Sequence, residues 1–151
     1  MRTKVLLGLA ALAVGLSTSM AQNVYSLNVV GYVNVSVGAG YTLFANQLIN
    51  GTNGINQVLA NPAESALVLK FKNNDYVTDI AVSGAWYDNT TGNPSTTQLQ
   101  QGEGWFYFNP GAAWTVTLVG EVPQGAGLTV PLPANYTLAG TYTPEALSLV
   151  A

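Results

Sequence analysis

In VYSLNVVGYVNVSV, residues 24–37, an apolar side chain returns at nearly every second position. Tyr25, Leu27, Val29, Val33, Val35 and Val37 fall on one side of an extended chain. Ser26, Asn28, Asn34 and Ser36 fall on the other. A helix would scatter these residues around its axis, so the spacing demands a half-buried strand. Fourteen residues are long for one strand, and Gly31 marks a bend or bulge within them. WTVTLVGEV, residues 114–122, repeats the pattern, with Trp114, Val116, Leu118 and Val122 set against Thr115, Thr117 and Glu121.

The same reading predicts strands at 41–45, 66–71, 76–82, 102–109, 127–130 and 136–140. Turn signals separate them: Asn50-Gly51, Asn53-Gly54, Asn73-Asn74-Asp75, Asn89 to Pro94, Asn109-Pro110-Gly111 and Pro123 to Gly127. Many short strands at this spacing make an all-β chain, an antiparallel β-sandwich or open barrel. One segment departs from period two. Ile55, Val58 and Leu59 have helical spacing, with Asn53 as N-cap and Pro62 as terminator, and predict one short helical turn over an open end of the core. A short internal repeat is present. Val29 to Val33 resembles Leu118 to Val122, and Gly40 to Leu43 resembles Asn135 to Leu138, so the two ends of the domain are expected to lie side by side.

The N-terminus has the form of an export signal. Arg2 and Lys4 precede an apolar run, Val5 to Leu16, and Ser19-Met20-Ala21 supplies a small-x-small cleavage pattern. The run is shorter than the roughly 20 apolar residues that span a bilayer. The expected division is a signal peptide at 1–21 and a single all-β domain at 22–151, placed in the periplasm, on the outer surface or outside the cell. Residues 22–151 carry two bases, Lys70 and Lys72, against seven acids, a net charge of −5. A polyphosphate would be repelled, so nucleic acid is not an expected partner, nor is an anionic membrane surface. The Asn-x-Ser/Thr triplets at Asn34, Asn50, Asn89 and Asn135 are read as composition.

Three ordered landmarks carry a resemblance. They are Gly40-Tyr41-Thr42-Leu43-Phe44-Ala45-Asn46, then Gly102-Glu103-Gly104-Trp105-Phe106 followed by Asn109-Pro110-Gly111-Ala112, then Val119 to Gly125. Over nearly all of residues 22–151 the chain resembles a family of exported bacterial all-β proteins to which no activity is assigned. The resemblance implies an architecture and a location, and no active-site residues. The ending Ala146-Leu147-Ser148-Leu149-Val150-Ala151 lacks the apolar helix and basic residues of a sorting tail, so anchoring by that route is not expected.

The chain has no histidine and no cysteine. That removes the Ser-His-Asp and Cys-His arrangements and ordinary zinc, copper or haem ligation. Gly38-Ala39-Gly40 leads into a strand and lacks the lysine of a phosphate loop. Carboxylates remain. Asp75, Asp79, Asp88 and Glu103 are the candidates for acid catalysis, and the oxygen-rich loop Asp88 to Asn93 is the candidate for calcium. Asx turns and backbone hydrogen bonds account for them more simply, so neither an enzyme nor a cofactor is expected.

Aromatic residues are the better lead. Alternation divides Trp105-Phe106-Tyr107-Phe108 between two faces. Phe has no polar handle, so Phe106 and Phe108 are expected in the core and Trp105 and Tyr107 on any exposed face. Trp86, Tyr87, Trp105 and Tyr107 are thus the candidate ligand-binding residues, for a cell-surface polysaccharide. Charge-poor strands also favour self-association, with Lys70 and Lys72 as gatekeepers against edge pairing. The function expected from these features is structural or adhesive and non-catalytic, with a carbohydrate-binding module as the alternative.

Overall fold

Alternation becomes a hairpin wherever turn chemistry lets the chain reverse. At Asn73-Asn74 both residues have positive φ, 54° and 63°, and at Ser83-Gly84 the values are 51° and 80°. Two such residues in sequence match the right-handed twist of the strands they join. They link the three consecutive strands of a meander.

The computed structural model describes residues 29–125, 128–132 and 136–144. The expected signal peptide and the strand residues before Val29 lie outside the described residues, as does part of 127–130. The elements are β1 (Val30–Val37), β2 (Gly40–Ala45), α1 (Ile55–Val58), β3 (Leu67–Lys72), β4 (Asp75–Val82), β5 (Ala85–Asp88), β6 (Gly104–Asn109) and β7 (Trp114–Glu121). They form two antiparallel sheets, a five-stranded one in the order β2-β6-β3-β4-β5 and a two-stranded ribbon of β1 and β7. The expected all-β sandwich is therefore what the chain forms, without closure into a barrel.

The ribbon lies over one face of the larger sheet. Val37, Val116 and Leu118 from the ribbon share a single buried cluster with Phe44, Val68, Ala81, Trp86, Trp105 and Tyr107 from the sheet. The internal repeat has a physical meaning here. Its two copies, Val29 to Val33 and Leu118 to Val122, pair with each other, and Gly31 stands opposite Gly120. At that point Ile49 approaches from the other side, exchanging both backbone hydrogen bonds with Glu121 at 2.9 and 2.8 Å. A Cβ on Gly120 would come within 2.5 Å of the Ile49 carbonyl oxygen. The glycine lets a third segment reach the ribbon.

Several expectations need revision: of the strand expected at 127–130, the described residues 128–130 form none. Residues 136–140 form no strand; Ala139 makes only an isolated bridge to Glu103. The four-residue β5 was not expected, because its Trp86-Tyr87 pair shows no alternation long enough to count. The helical turn is present and is capped at Gly54 rather than Asn53: the Gln57 side chain accepts from the Gly54 N–H at 3.0 Å. Ile55, Val58 and Leu59 bury at the end of the core, as expected.

Gly120→Ala should lower unfolding stability by about 1–3 kcal/mol, since backbone has to move aside for the methyl group. Gly38→Ala meets nothing within 4 Å and should change it by less than about 0.5 kcal/mol. Urea unfolding of both variants checks the pair; equal midpoints would remove the close approach as the reason for the glycine.

Candidate functional site

β6 carries the aromatic run, and its two faces meet different neighbours. Trp105 is 0 % exposed and Tyr107 and Trp86 are 1 % exposed. Trp105 stacks on Phe44 with ring centroids 4.9 Å apart and planes 19° apart. Tyr107 touches Phe44 at 5.7 Å and Trp86 at 6.4 Å. The Trp86 indole N–H donates to the Leu59 carbonyl at 2.9 Å. The expected orientation of β6 is thus reversed. Trp105 and Tyr107 are core, while Phe106 and Phe108 stand on the outer face, half-buried. The reason is volume. The space between a five-stranded sheet and a two-stranded cover takes the largest rings, and the gain from burying them outweighs the polar handle. Of the four candidate binding residues, Trp86, Trp105 and Tyr107 come together inside, and Tyr87 lies alone on the opposite face.

That opposite face is the larger surprise. The strand register sets Tyr41, Phe108, Leu67, Ile80 and Tyr87 in one row across all five strands. Leu43, Phe106, Leu69 and Thr78 form the next row, and Phe71 pairs with Tyr76 beyond it. No charged side chain stands in these rows. Tyr41 is 61 % and Leu43 55 % exposed, and the phenylalanines are half-buried, in ring contact with Tyr41 and Tyr76. The rings are tilted, not coplanar: Tyr41 to Phe106 by 86°, Tyr41 to Phe108 by 48°, Phe71 to Tyr76 by 63° and Tyr76 to Phe106 by 55°.

The Gly-Glu-Gly turn before β6 is structural in its glycines. A Cβ on Gly104 would press on the Leu138 backbone at 3.0 Å, and Gly104 N–H donates to Leu138 O at 2.8 Å. Glu103 accepts from the Gln100 N–H at 3.1 Å and pairs with Lys70 at 2.6 Å. Lys70 also donates to the Gln98 carbonyl at 2.7 Å. β3 lies between β6 and β4, but its ladder to β6 covers only Leu67, Val68 and Leu69, so Lys70 and Lys72 stand where β3 continues paired with β4 alone. They line a cleft of about 940 Å³ together with Gln100, Glu103, Leu132 and Tyr136.

Two further carboxylates face each other. Asp79 on β4 stands opposite Asp88 on β5. Asp79 is fully buried, and neither of its oxygens completes a hydrogen bond. Burial holds its carboxyl above the ordinary value; nearby Ser95 and Thr97 oppose this, Asp88 adds to it and Lys70 opposes it. Asp88 accepts backbone N–H bonds from Thr91 at 2.8 Å and Thr90 at 2.9 Å, and these hold its carboxyl below the usual range. The loop read as a calcium candidate is therefore an Asx turn at Asp88. Among the described residues no three His, Cys, Asp or Glu side chains gather to hold a metal. Asp75 accepts from the Tyr76 N–H at 2.7 Å and stands opposite Lys72 on β3.

A smaller cavity of about 300 Å³ opens between residues 59–62, which follow α1, and β7, where Trp86, Tyr107 and Trp114 meet Asn61 and Pro62. The Tyr107 hydroxyl is sealed from solvent and completes no hydrogen bond; the Ala63 backbone and the Trp114 side chain lie near it.

Asp79 makes the fold pH-sensitive with a defined sign. Below the unfolded-state value of about 3.9 the group is neutral in both states and contributes nothing. As pH rises through its raised folded value, the buried charge is resisted and stability falls. Asp79→Asn should therefore raise the thermal midpoint at pH 7 and leave it nearly unchanged at pH 3. Calorimetry at both values checks this; an equal shift at each would show that the charge is not the cause.

No protein family model, curated protein or solved structure matches the chain, so its function has to be read from this geometry.

Proposed function

We propose that this is an exported, non-catalytic structural or adhesive protein of the cell envelope or its exterior, which works by associating with further copies of itself through the outer face of its five-stranded sheet. The observation that carries the reading is the uncharged row Tyr41, Phe108, Leu67, Ile80 and Tyr87 crossing every strand of that sheet. The signal-type segment at 1–21 supports export.

A second copy fits this face better than other occupants. With no charged side chain in the rows, nothing on the face would steer or pair a charged partner. A crystalline polysaccharide calls for coplanar rings, and these are tilted by 48° to 86°. Tilted rings leave grooves that interdigitate with a like surface, as sheets do when packed about 10 Å apart. Strands about 4.8 Å apart and residues about 3.4 Å apart give five strands and roughly six residues a footprint of about 24 by 20 Å. Two copies then cover about 960 Å² before side-chain relief is counted, close to the roughly 1,000 Å² that a specific interface needs.

Sedimentation and light scattering of the purified protein should show mass rising with concentration. Leu43→Glu and Tyr76→Glu place charge on exposed positions of the face and should weaken association about tenfold or more each without lowering the thermal midpoint. A wild-type protein that stays monomeric, or one that stays monomeric and partitions onto neutral lipid vesicles, would sink the reading.

A further inference from the structure

We infer that the open edge of β2 is a second self-association site, at which β2 of another copy pairs antiparallel about a two-fold axis and joins two five-stranded sheets into one. The contact is distinct from the outer face and does not require it. β2 is the terminal strand of its sheet. The direction of its backbone groups follows from β6. The Gly104 N–H donates to Leu138 O, away from β2. Backbone groups of an antiparallel strand alternate in direction. Trp105, Tyr107 and Asn109 therefore bond toward β2, and their partners Phe44, Thr42 and Gly40 bond back. Asn46 agrees, since its carbonyl accepts from the Gly102 N–H at 3.1 Å. The N–H and C=O groups of Tyr41, Leu43 and Ala45 thus point out from the sheet, and among the described residues none of them has a hydrogen-bond partner.

Such an edge is ordinarily blocked by charge, proline, a bulge or a covering segment. Gly40–Ala45 holds no charged residue and no proline, and it pairs residue for residue with β6. The opposite edge of the same sheet is treated differently. On β5 the Asp88 N–H donates to Asn93 O and Trp86 O accepts from the Ser95 N–H, both at 2.9 Å, and the Trp86 N–H donates to Asn56 Oδ1 at 3.0 Å. One edge is sealed by its own chain and the other is left open.

The sequence of β2 favours a second copy as the occupant. Gly140 approaches Ala45 so closely that no Cβ fits between them, which crowds that end of the strand. The two-fold axis therefore falls at Thr42. Tyr41, more than half exposed like Leu43, then stands opposite Leu43 of the second copy, and Leu43 opposite its Tyr41. Each of these pairs exchanges two backbone bonds, about four in all. Thr42 meets Thr42, and Thr–Thr neighbours are favourable across strands. Neither β2 nor β6 carries a charged side chain, so two copies of an acidic chain meet here without opposing like charges. A foreign strand would take the same backbone bonds but lacks the symmetric match.

Amide hydrogen exchange read by NMR tests the edge directly. In dilute protein the Tyr41 and Leu43 amides should exchange quickly, and both should slow by about tenfold or more as concentration raises the mass. The chain has no cysteine, so a single introduced one reports proximity without background. Thr42→Cys should form a disulfide-linked dimer on mild oxidation, because residues facing in a non-hydrogen-bonded pair have Cα atoms about 4.5 Å apart. Thr115→Cys, exposed on the ribbon, should do so at least about tenfold more slowly. Tyr76→Glu lies on β4 and should leave both readouts intact while it weakens association through the outer face, so failure of the face and failure of the edge are told apart. Four results would overturn the inference: no dimer up to about 1 mM, amides that stay fast where the mass has risen, amides already slow in the monomer because the chain covers its own edge, or Thr42→Cys dimerising no faster than Thr115→Cys.

Discussion

The stack of Trp105 on Phe44 is the contact on which the rest of the structure depends. With Trp86 and Tyr107 it sets both tryptophans of the sheet on the inner face. A face of that volume has to be covered. The cover is a ribbon of only two strands, which contributes small valines and Leu118 to the shared cluster. Large rings below and small branched side chains above let the two layers interdigitate. α1 closes the open end, its exit held by the bond from the Trp86 indole to Leu59. Gly120 lets Ile49 tie the ribbon back to the chain that leaves β2.

Much of this was legible, because strand formation in this chain is governed by a two-residue period. β1, β2, β3, β4, β6 and β7 lie where alternation and turn residues put them. The pairing of β1 with β7 was legible as well, through the repeated Val-Gly motif at the two ends. β5 was not. Its four residues are too few to display a period, and Ser83-Gly84 is a weaker turn signal than the Asn-Gly pairs. Residues 136–140 alternate but donate and accept only beside Gly102 and Gly104, so alternation there reflects one bridge and not a ladder.

The face of β6 was misread for a physical reason. Alternation assigns residues to two sides but cannot say which side is inward when both are apolar. The deciding quantity was the depth of the space to be filled, a property of the layers and not of the strand. The outer face was illegible for a related reason. Tyr41, Leu67, Ile80, Tyr87 and Phe108 come from five separate stretches, and each looks ordinary in its own stretch. Only register assembles them into a row. The candidate residues Trp86 and Tyr107 were legible as aromatics with a polar handle. That the handle of one is matched, by Leu59, and the handle of the other is not depends on backbone positions that no local pattern specifies.

The apolar outer face gains its weight from a contrast within the molecule. An antiparallel sheet with one wet side is ordinarily polar there. The ribbon obeys this over much of its length: Asn34, Ser36, Thr115 and Thr117 face away from the core, and Thr117 donates to Asn34 at 2.7 Å. Val30, Tyr32 and Val119 are its apolar exceptions. The same chain therefore writes a polar solvent face with uncharged residues where it forms the ribbon. In the larger sheet it sets phenylalanine, tyrosine, leucine and isoleucine at the equivalent outward positions, strand after strand. A shortage of charged residues does not explain this, since Thr and Asn are plentiful and serve the ribbon. The outer face of the sheet lacks the polar side chains that the ribbon shows to water, and this contrast is what supports the proposed association of copies through it.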